Sequence, residues 1–307
     1  MTPAPTLSPK TWALLLLLSL IWGGSFLFAR IAVLEVPPIT LVFARVALAA
    51  LALNLFLLMR PPNLSHGGRW RDFALMGLLN NIIPFGLIFY GQLEIGAGLA
   101  AIINAMTPVW SLLFAHWRTA DEKLSAAKLF GIGIGFAGVA TLIGSAAFAG
   151  LQASAIAQLA VLGATISYGA ASVFGKRFAS VPPLITSRGQ LTMSTLIIAP
   201  LALLIDRPWT LSMPSDAALL SIIALALVCT AYAYILFFRI LALAGAVNVS
   251  LVTFLVPVSA VLLGILVLGE TLAMNQIIGT GLILLGLAVI DGRLLPRVIG
   301  SRSTASD

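Results

Sequence analysis

Ten stretches of about 20 apolar residues succeed one another along the chain, at 12–33, 37–59, 72–92, 97–117, 126–145, 153–175, 182–205, 216–238, 246–268 and 275–292. About 20 helical residues cross the ~30 Å hydrocarbon layer of a bilayer, so the pattern predicts ten membrane helices. The breaks between them carry helix-stopping residues: Val36-Pro37-Pro38, Arg60-Pro61-Pro62-Asn63 and Asp206-Arg207-Pro208. Nothing is left over for a soluble domain. The first run follows Lys10 and could be read as a secretory leader, but it is too long for a leader's apolar core. Its removal would also break the duplication described next.

The chain contains the same pattern twice. Pro257, Glu270-Thr271-Leu272 and Gly279-x-Gly281-x4-Gly286 repeat Pro108, Glu122-Lys123-Leu124 and Gly131-x-Gly133-x4-Gly138. From the Glu onward the offset is 148, and at the Pro it is 149, so the first copy has one extra residue between these landmarks. Further matches extend the repeat: Trp22-Gly23 with Tyr168-Gly169, Arg30 with Lys176, Pro37-Pro38 with Pro182-Pro183, and Gly96-Ala97 with Gly245-Ala246. Residues 1–150 and 151–307 are thus expected to be two five-helix repeats forming one membrane unit. Because five is odd, the second repeat enters the membrane from the opposite side, which gives an inverted pair.

Charge sets the orientation. The loops on one side hold Lys10, Arg60, Arg69, Arg71, Arg118, Lys123, Lys128, Lys176, Arg177, Arg239, Arg293, Arg297 and Arg302, while the other side holds Arg30 and Arg207. Cytoplasmic loops concentrate Lys and Arg, so both termini are expected in the cytoplasm. The +7 net charge is accounted for as topology, and no nucleic-acid partner is implied. Composition agrees with a membrane protein: 60% of residues are hydrophobic, 9% are charged, and mean hydropathy is +1.10. A single cysteine, Cys229, gives neither a disulfide framework nor a metal-ligand cluster. The Gly131-x-Gly133-x-Gly135 run lacks the strand context of a phosphate loop; glycines here allow membrane helices to approach closely.

Candidate chemistry gathers near the middle of the helices. Asn80, Asn104 and Thr253 each lie four residues before a helical proline: Pro84, Pro108 and Pro257. Such a proline frees the i−4 carbonyl, and freed backbone at membrane depth must be buried in protein or line an aqueous cavity. The alternative is that the prolines only kink helices for packing. The repeat places Asn80 and Asn81 opposite Cys229 and Thr230, Phe85 opposite Tyr234, Ala101 opposite Ser250, Asn104 opposite Thr253, and Trp22 opposite Tyr168. Trp22, Asn80, Asn81, Phe85, Asn104, Tyr168, Thr230, Tyr234, Ser250 and Thr253 are therefore the expected cavity residues, a few hydrogen-bonding groups among aromatic faces. Arg45 and Arg188 lie inside predicted helices 2 and 7. Arg45 is eight residues beyond Pro37, at most ~12 Å along its helix, and is either functional or a structural tie. Every acidic residue falls at a helix end, in a loop or at a terminus. Glu122 and Glu270 are read as interfacial or capping residues.

The ten-helix duplication, Trp22-Gly23, and the Pro, Glu-x-Leu, Gly-x-Gly series that closes each half resemble the EamA-type drug/metabolite transporter superfamily over essentially the whole chain. Within it, the resemblance is to bacterial aromatic amino-acid exporters. It implies a ten-helix carrier, export as the direction, and helices 5 and 10 packed together at the periphery. Small multidrug members of the superfamily carry a membrane-embedded Glu in the first helix; Leu14 to Phe28 holds none.

These observations predict an all-α secondary transporter of amino acids and related small metabolites in the cytoplasmic membrane. It would work by alternating access, as a monomer, without cofactor or metal. A uniport mechanism fits the lack of an embedded acid. A proton-coupled efflux carrier and a channel are the alternatives; a channel needs a polar stripe from face to face, whereas the polar residues here cluster at mid-depth. An intramembrane enzyme is disfavoured, since no nucleophile lies beside an embedded His/Asp set.

Overall fold

The structure, a computed structural model, describes residues 8–59, 69–118, 124–143, 153–249 and 251–291, and their regular secondary structure is helical throughout. In order the helices are α1 (Pro9–Val33), α2 (Pro38–Met59), α3 (Trp70–Gly91), α4 (Ala97–Arg118), α5 (Ala126–Leu142), α6 (Ala153–Phe178), α7 (Pro183–Thr210), α8 (Asp216–Leu243), α9 (Val252–Leu268) and α10 (Met274–Asp291). Eight are long and apolar enough to cross a membrane, and α5 and α9 are shorter apolar helices. The protein is a multipass membrane protein. Sequence reading ended the eighth helix at 238 and placed Arg239 in a loop; instead the helical backbone runs on to Val249. The residues Ile240 to Ala246 contain no proline or charge to stop it.

Local sequence explains the helix ends. Ser8 caps α1 by accepting a hydrogen bond from the Thr11 N–H at 3.2 Å, with Pro9 in the first turn, where a missing N–H costs nothing. Ser215 caps α8 in the same way through the Ala218 N–H. The N-cap of α4 is Gly96, which has no side chain to offer. Its place is taken by Glu270, whose carboxylate accepts from Ala97 N–H at 2.6 Å and Gly98 N–H at 3.0 Å. Gly269, at φ 65°, ends α9 in the left-handed conformation and turns Glu270 toward α4. A Cβ on Gly96 or Gly264 would collide with that carboxylate. The expected capping role of Glu270 is therefore seen in a long-range form, on a helix 173 residues away in sequence; Glu122 lies outside the described residues.

The packing pairs come in related sets: α1 with α9 and α6 with α4, α1 with α8 and α6 with α3, α3 with α7 and α8 with α2. Exchanging each helix for the one five places away converts each pair into its partner. The contacts α5–α10, α2–α7 and α4–α9 map onto themselves. Gly23 sits against Ser259 and Ala260, and Gly169 against Trp110 and Ser111, the repeat-related positions on α9 and α4. In the α5–α10 contact, Gly131 meets the Gly286 carbonyl and Gly138 meets the Gly279 carbonyl.

Two ends of the bundle differ. At one, Glu35 accepts from both the hydroxyl and the N–H of Ser215 at 2.6 and 2.7 Å. Asp206 accepts from the Thr40 N–H and hydroxyl at 2.8 Å, and Arg30 donates to the Gln92 and Leu93 carbonyls. At the other, Arg177 lies 3.7 Å from Asp72 and accepts from Arg69 through its carbonyl. Ser215 holds the Glu35 carboxyl below the ordinary glutamate value of 4.5. A lowered folded value means this link is intact above pH 4.5 and is lost as pH falls through the lowered value.

Candidate functional site

Mid-depth breaks in the helices create the site. In α3 the backbone widens to π-helix over Leu78–Ile82, just before Pro84, so the proline is accommodated by an enlarged turn rather than a sharp kink. In α8 a π segment spans Ala224–Tyr232, with no proline to announce it. The two segments are repeat mates, and they carry Asn80 and Asn81 on one side and Cys229 and Thr230 on the other. In α4 regular helix stops at Asn104 and resumes at Thr107. There the Thr107 hydroxyl donates to the freed Asn104 carbonyl at 2.8 Å, which satisfies the backbone without occupying the Asn104 amide. Pro257 lies within α9.

Between these breaks lies a cavity of about 860 Å³. Trp22, Asn80, Phe85, Asn104, Tyr168, Thr230, Tyr234 and Thr253 line it, as do Arg45, Pro108 and Pro257. It extends to Ala179 in the α6–α7 connection and to Pro183 at the start of α7, both exposed, while Phe26, Ala29, Ile88 and Phe89 close the opposite end and are buried. Among the described residues the lining contains no acidic side chain.

The remaining candidates fall elsewhere. Asn81 is fully buried behind the wall, donating to Ser194 at 3.0 Å and accepting from the Tyr234 hydroxyl at 3.3 Å. Its amide therefore holds Tyr234 in place. Pro84 belongs to α3 but not to the lining. Arg188 also points away, donating to Asn54 Oδ1 at 2.7 Å and tying α7 to α2. Ser250 lies outside the described residues. Gln190 was not among the expected cavity residues; its side-chain oxygen accepts from Asn80 at 3.1 Å and it lines the cavity. Phe237 was missed as well, and it packs against Trp22 with ring centroids 5.6 Å apart. Comparison of the repeats could have found neither contact, since neither Asn80 with Gln190 nor Trp22 with Phe237 is a repeat-mate pair.

Arg45 is 6% exposed. Its Nε donates to the Thr230 hydroxyl at 3.0 Å, and its guanidinium lies 3.8 Å from the centre of the Phe85 ring. That stacking contributes about 0.5–2 kcal/mol where water is excluded. Through the Thr230 hydroxyl Arg45 ties α2 to α8. Asn104 Oδ1 is buried without a partner, an open acceptor in the cavity wall.

The arrangement, a largely apolar cavity with a few hydrogen-bonding groups, closed at one end of a helical bundle, suits binding of a small amphiphilic solute. Similar proteins agree with a membrane role. The chain is 28% identical to the uncharacterized transporter YvbV of Bacillus subtilis over 92% of each chain. It is 27% identical to the uncharacterized inner membrane transporter YedA of Escherichia coli K12, covering 89% of this chain and 88% of that one. A protein crystal structure superposes with a TM-score of 0.66 at 21% identity, covering 94% of this chain and 99% of the other, which shows a shared fold. A family model describing EamA-like transporters matches twice, over residues 10–144 and 155–291. This chain belongs to the EamA-like transporter family.

Proposed function

We propose that this membrane transporter carries amino acids and related small metabolites across the cytoplasmic membrane, as a monomeric uniporter working by alternating access. The observation that carries the reading is the acid-free cavity walled by repeat-related residues of both halves, Trp22 with Tyr168 and Asn104 with Thr253. The few hydrogen-bonding groups suit the polar end of such a solute and the aromatic faces its body. Among the described residues no carboxylate lines the cavity, so the usual proton site of a coupled carrier is missing there.

Ten crossings arranged as two inverted repeats, 1–150 and 151–307, are part of this proposal. Two features support it: the double family match and the exchange relation among the helix pairs. The shorter α9, at 17 residues, still spans about 25 Å at 1.5 Å per residue. With both termini cytoplasmic, the cavity opens toward the cytoplasm and its sealed end faces outward. Export is the direction the superfamily resemblance implies. For a uniporter, the solute's own gradient sets net flow.

The test is uptake by proteoliposomes of a panel of labelled amino acids, with and without a pH gradient. Saturable uptake of at least one amino acid, unchanged by the gradient, is expected. Movement of a lipophilic cation but of no amino acid overturns the substrate class, and flux that requires the gradient overturns uniport.

A further inference from the structure

Arg45 has more hydrogen-bonding capacity than the protein uses. A guanidinium presents five N–H donors in a rigid plane. Among the described residues only Nε–H has a protein acceptor, the Thr230 hydroxyl. The terminal nitrogens are not sealed away, and the residue lines the central cavity. The faces of the guanidinium meet Phe85 and, at 5.9 Å, Phe89, so its free edge is the edge with the unused donors.

Among the described residues no acid in the lining neutralises this charge. Burying an unpaired cation at membrane depth costs several kcal/mol, and tying α2 to Thr230 needs one neutral donor, which glutamine would supply without that cost. A planar fork of free N–H groups is the shape that takes a carboxylate through two parallel hydrogen bonds.

We infer that Arg45 is a carboxylate-docking residue, selecting substrates that carry a planar carboxylate beside an apolar body which lies against Trp22, Tyr168 and Phe237. This rests on the carrier reading above and narrows it: the carboxylate is required, and the ammonium of an amino acid is not. The cavity accepts zwitterions and monoanions and rejects cations of the same body, because the fork repels a positive head and no carboxylate offsets the repulsion.

Three probes of one body and different heads test it: 3-phenylpropionate, L-phenylalanine and L-phenylalaninamide. Binding to the detergent-solubilised full chain is followed by tryptophan fluorescence, with calorimetry as a check. The two carboxylates are expected to bind about tenfold or more tighter than the amide. Arg45→Gln should erase that ratio by weakening the carboxylates while leaving the amide equal or stronger, and Arg45→Lys should restore part of it. A purely structural Arg45 would weaken all three alike. The wild-type ratio stands as the test by itself if Arg45→Gln fails to insert. Amide binding equal to the acids, no carboxylate binding in the wild type, or an unchanged ratio in Arg45→Gln overturns the assignment. Carboxylate binding without flux in proteoliposomes overturns the carrier reading and leaves the docking residue standing. Flux that treats amide and acid alike does the reverse.

Discussion

Replacing Gly286 by leucine is expected to leave little folded protein in the membrane. A Cβ at this position would lie 2.6 Å from the Gly131 carbonyl oxygen, 2.7 Å from Gly135 N and 3.1 Å from Gly135 Cα. All three are backbone atoms, so no rotamer change makes room, and α5 and α10 must move apart. In lipid there is little hydrophobic drive to hold helices together, and close van der Waals packing supplies most of the association. Overpacking of this kind costs about 1–3 kcal/mol or more. Gly138 and Gly279 repeat the same contact, a Cβ on either lying 2.8 Å from the other's carbonyl oxygen, so one substitution strains the whole interface. The contrast lies two residues along each motif: a Cβ on Gly133 or Gly281 meets nothing within 4 Å. Gly281→Leu should therefore yield a monodisperse protein of near wild-type thermal stability, and Gly286→Leu a low yield of unstable protein. Equal behaviour of the two would mean that the α5–α10 contact does not hold the bundle.

A second large effect is expected at the sealed end. Glu35 and Ser215, Thr40 and Asp206, and Ala97 with Gly98 and Glu270 each join a residue of the first half to one of the second. Alternating access requires that these links break while the cavity closes at the opposite end. With Glu35→Cys and Ser215→Cys bridged by a short bis-methanethiosulfonate, in a Cys229→Ser background, flux should fall to the level of protein-free liposomes. Reductant should restore it. The Ser keeps the donor that Cys229 gives to the Ile21 carbonyl at 3.2 Å. Undiminished flux after complete cross-linking would mean that this end need not open, which is the behaviour of a permanent pore.

Much of the helix plan was legible because membrane helices announce themselves by length and composition. The runs at 97–117 and 275–292 fall within one residue of α4 (Ala97–Arg118) and α10 (Met274–Asp291). Where the signal failed, it failed for local reasons: Arg239 read as a loop charge, yet the helix formers around it carry α8 to Val249. The wall of the cavity was legible through a different route, the offset of 149, because duplicated positions that face a shared axis meet there. That offset paired Asn80 and Asn81 with Cys229 and Thr230, Phe85 with Tyr234 and Asn104 with Thr253, and an offset of 146 paired Trp22 with Tyr168. Pairing could not separate Asn80, which lines the cavity, from Asn81, buried behind it, since adjacent residues on a widened π turn point in different directions. The π segment of α8 left no mark in the sequence at all. Nor did the partner of Arg45: Thr230 is 185 residues away, and only the packed bundle brings the two together.

Entrance counterflow in proteoliposomes addresses the carrier mechanism most directly. Vesicles preloaded with an unlabelled amino acid from the responding class are diluted into a trace of the same labelled compound. A carrier whose site alternates between faces exchanges solute for solute, so label should accumulate transiently above its external concentration and then decline. A rise only to the external concentration, the same with or without preloading, would contradict alternating access through this cavity.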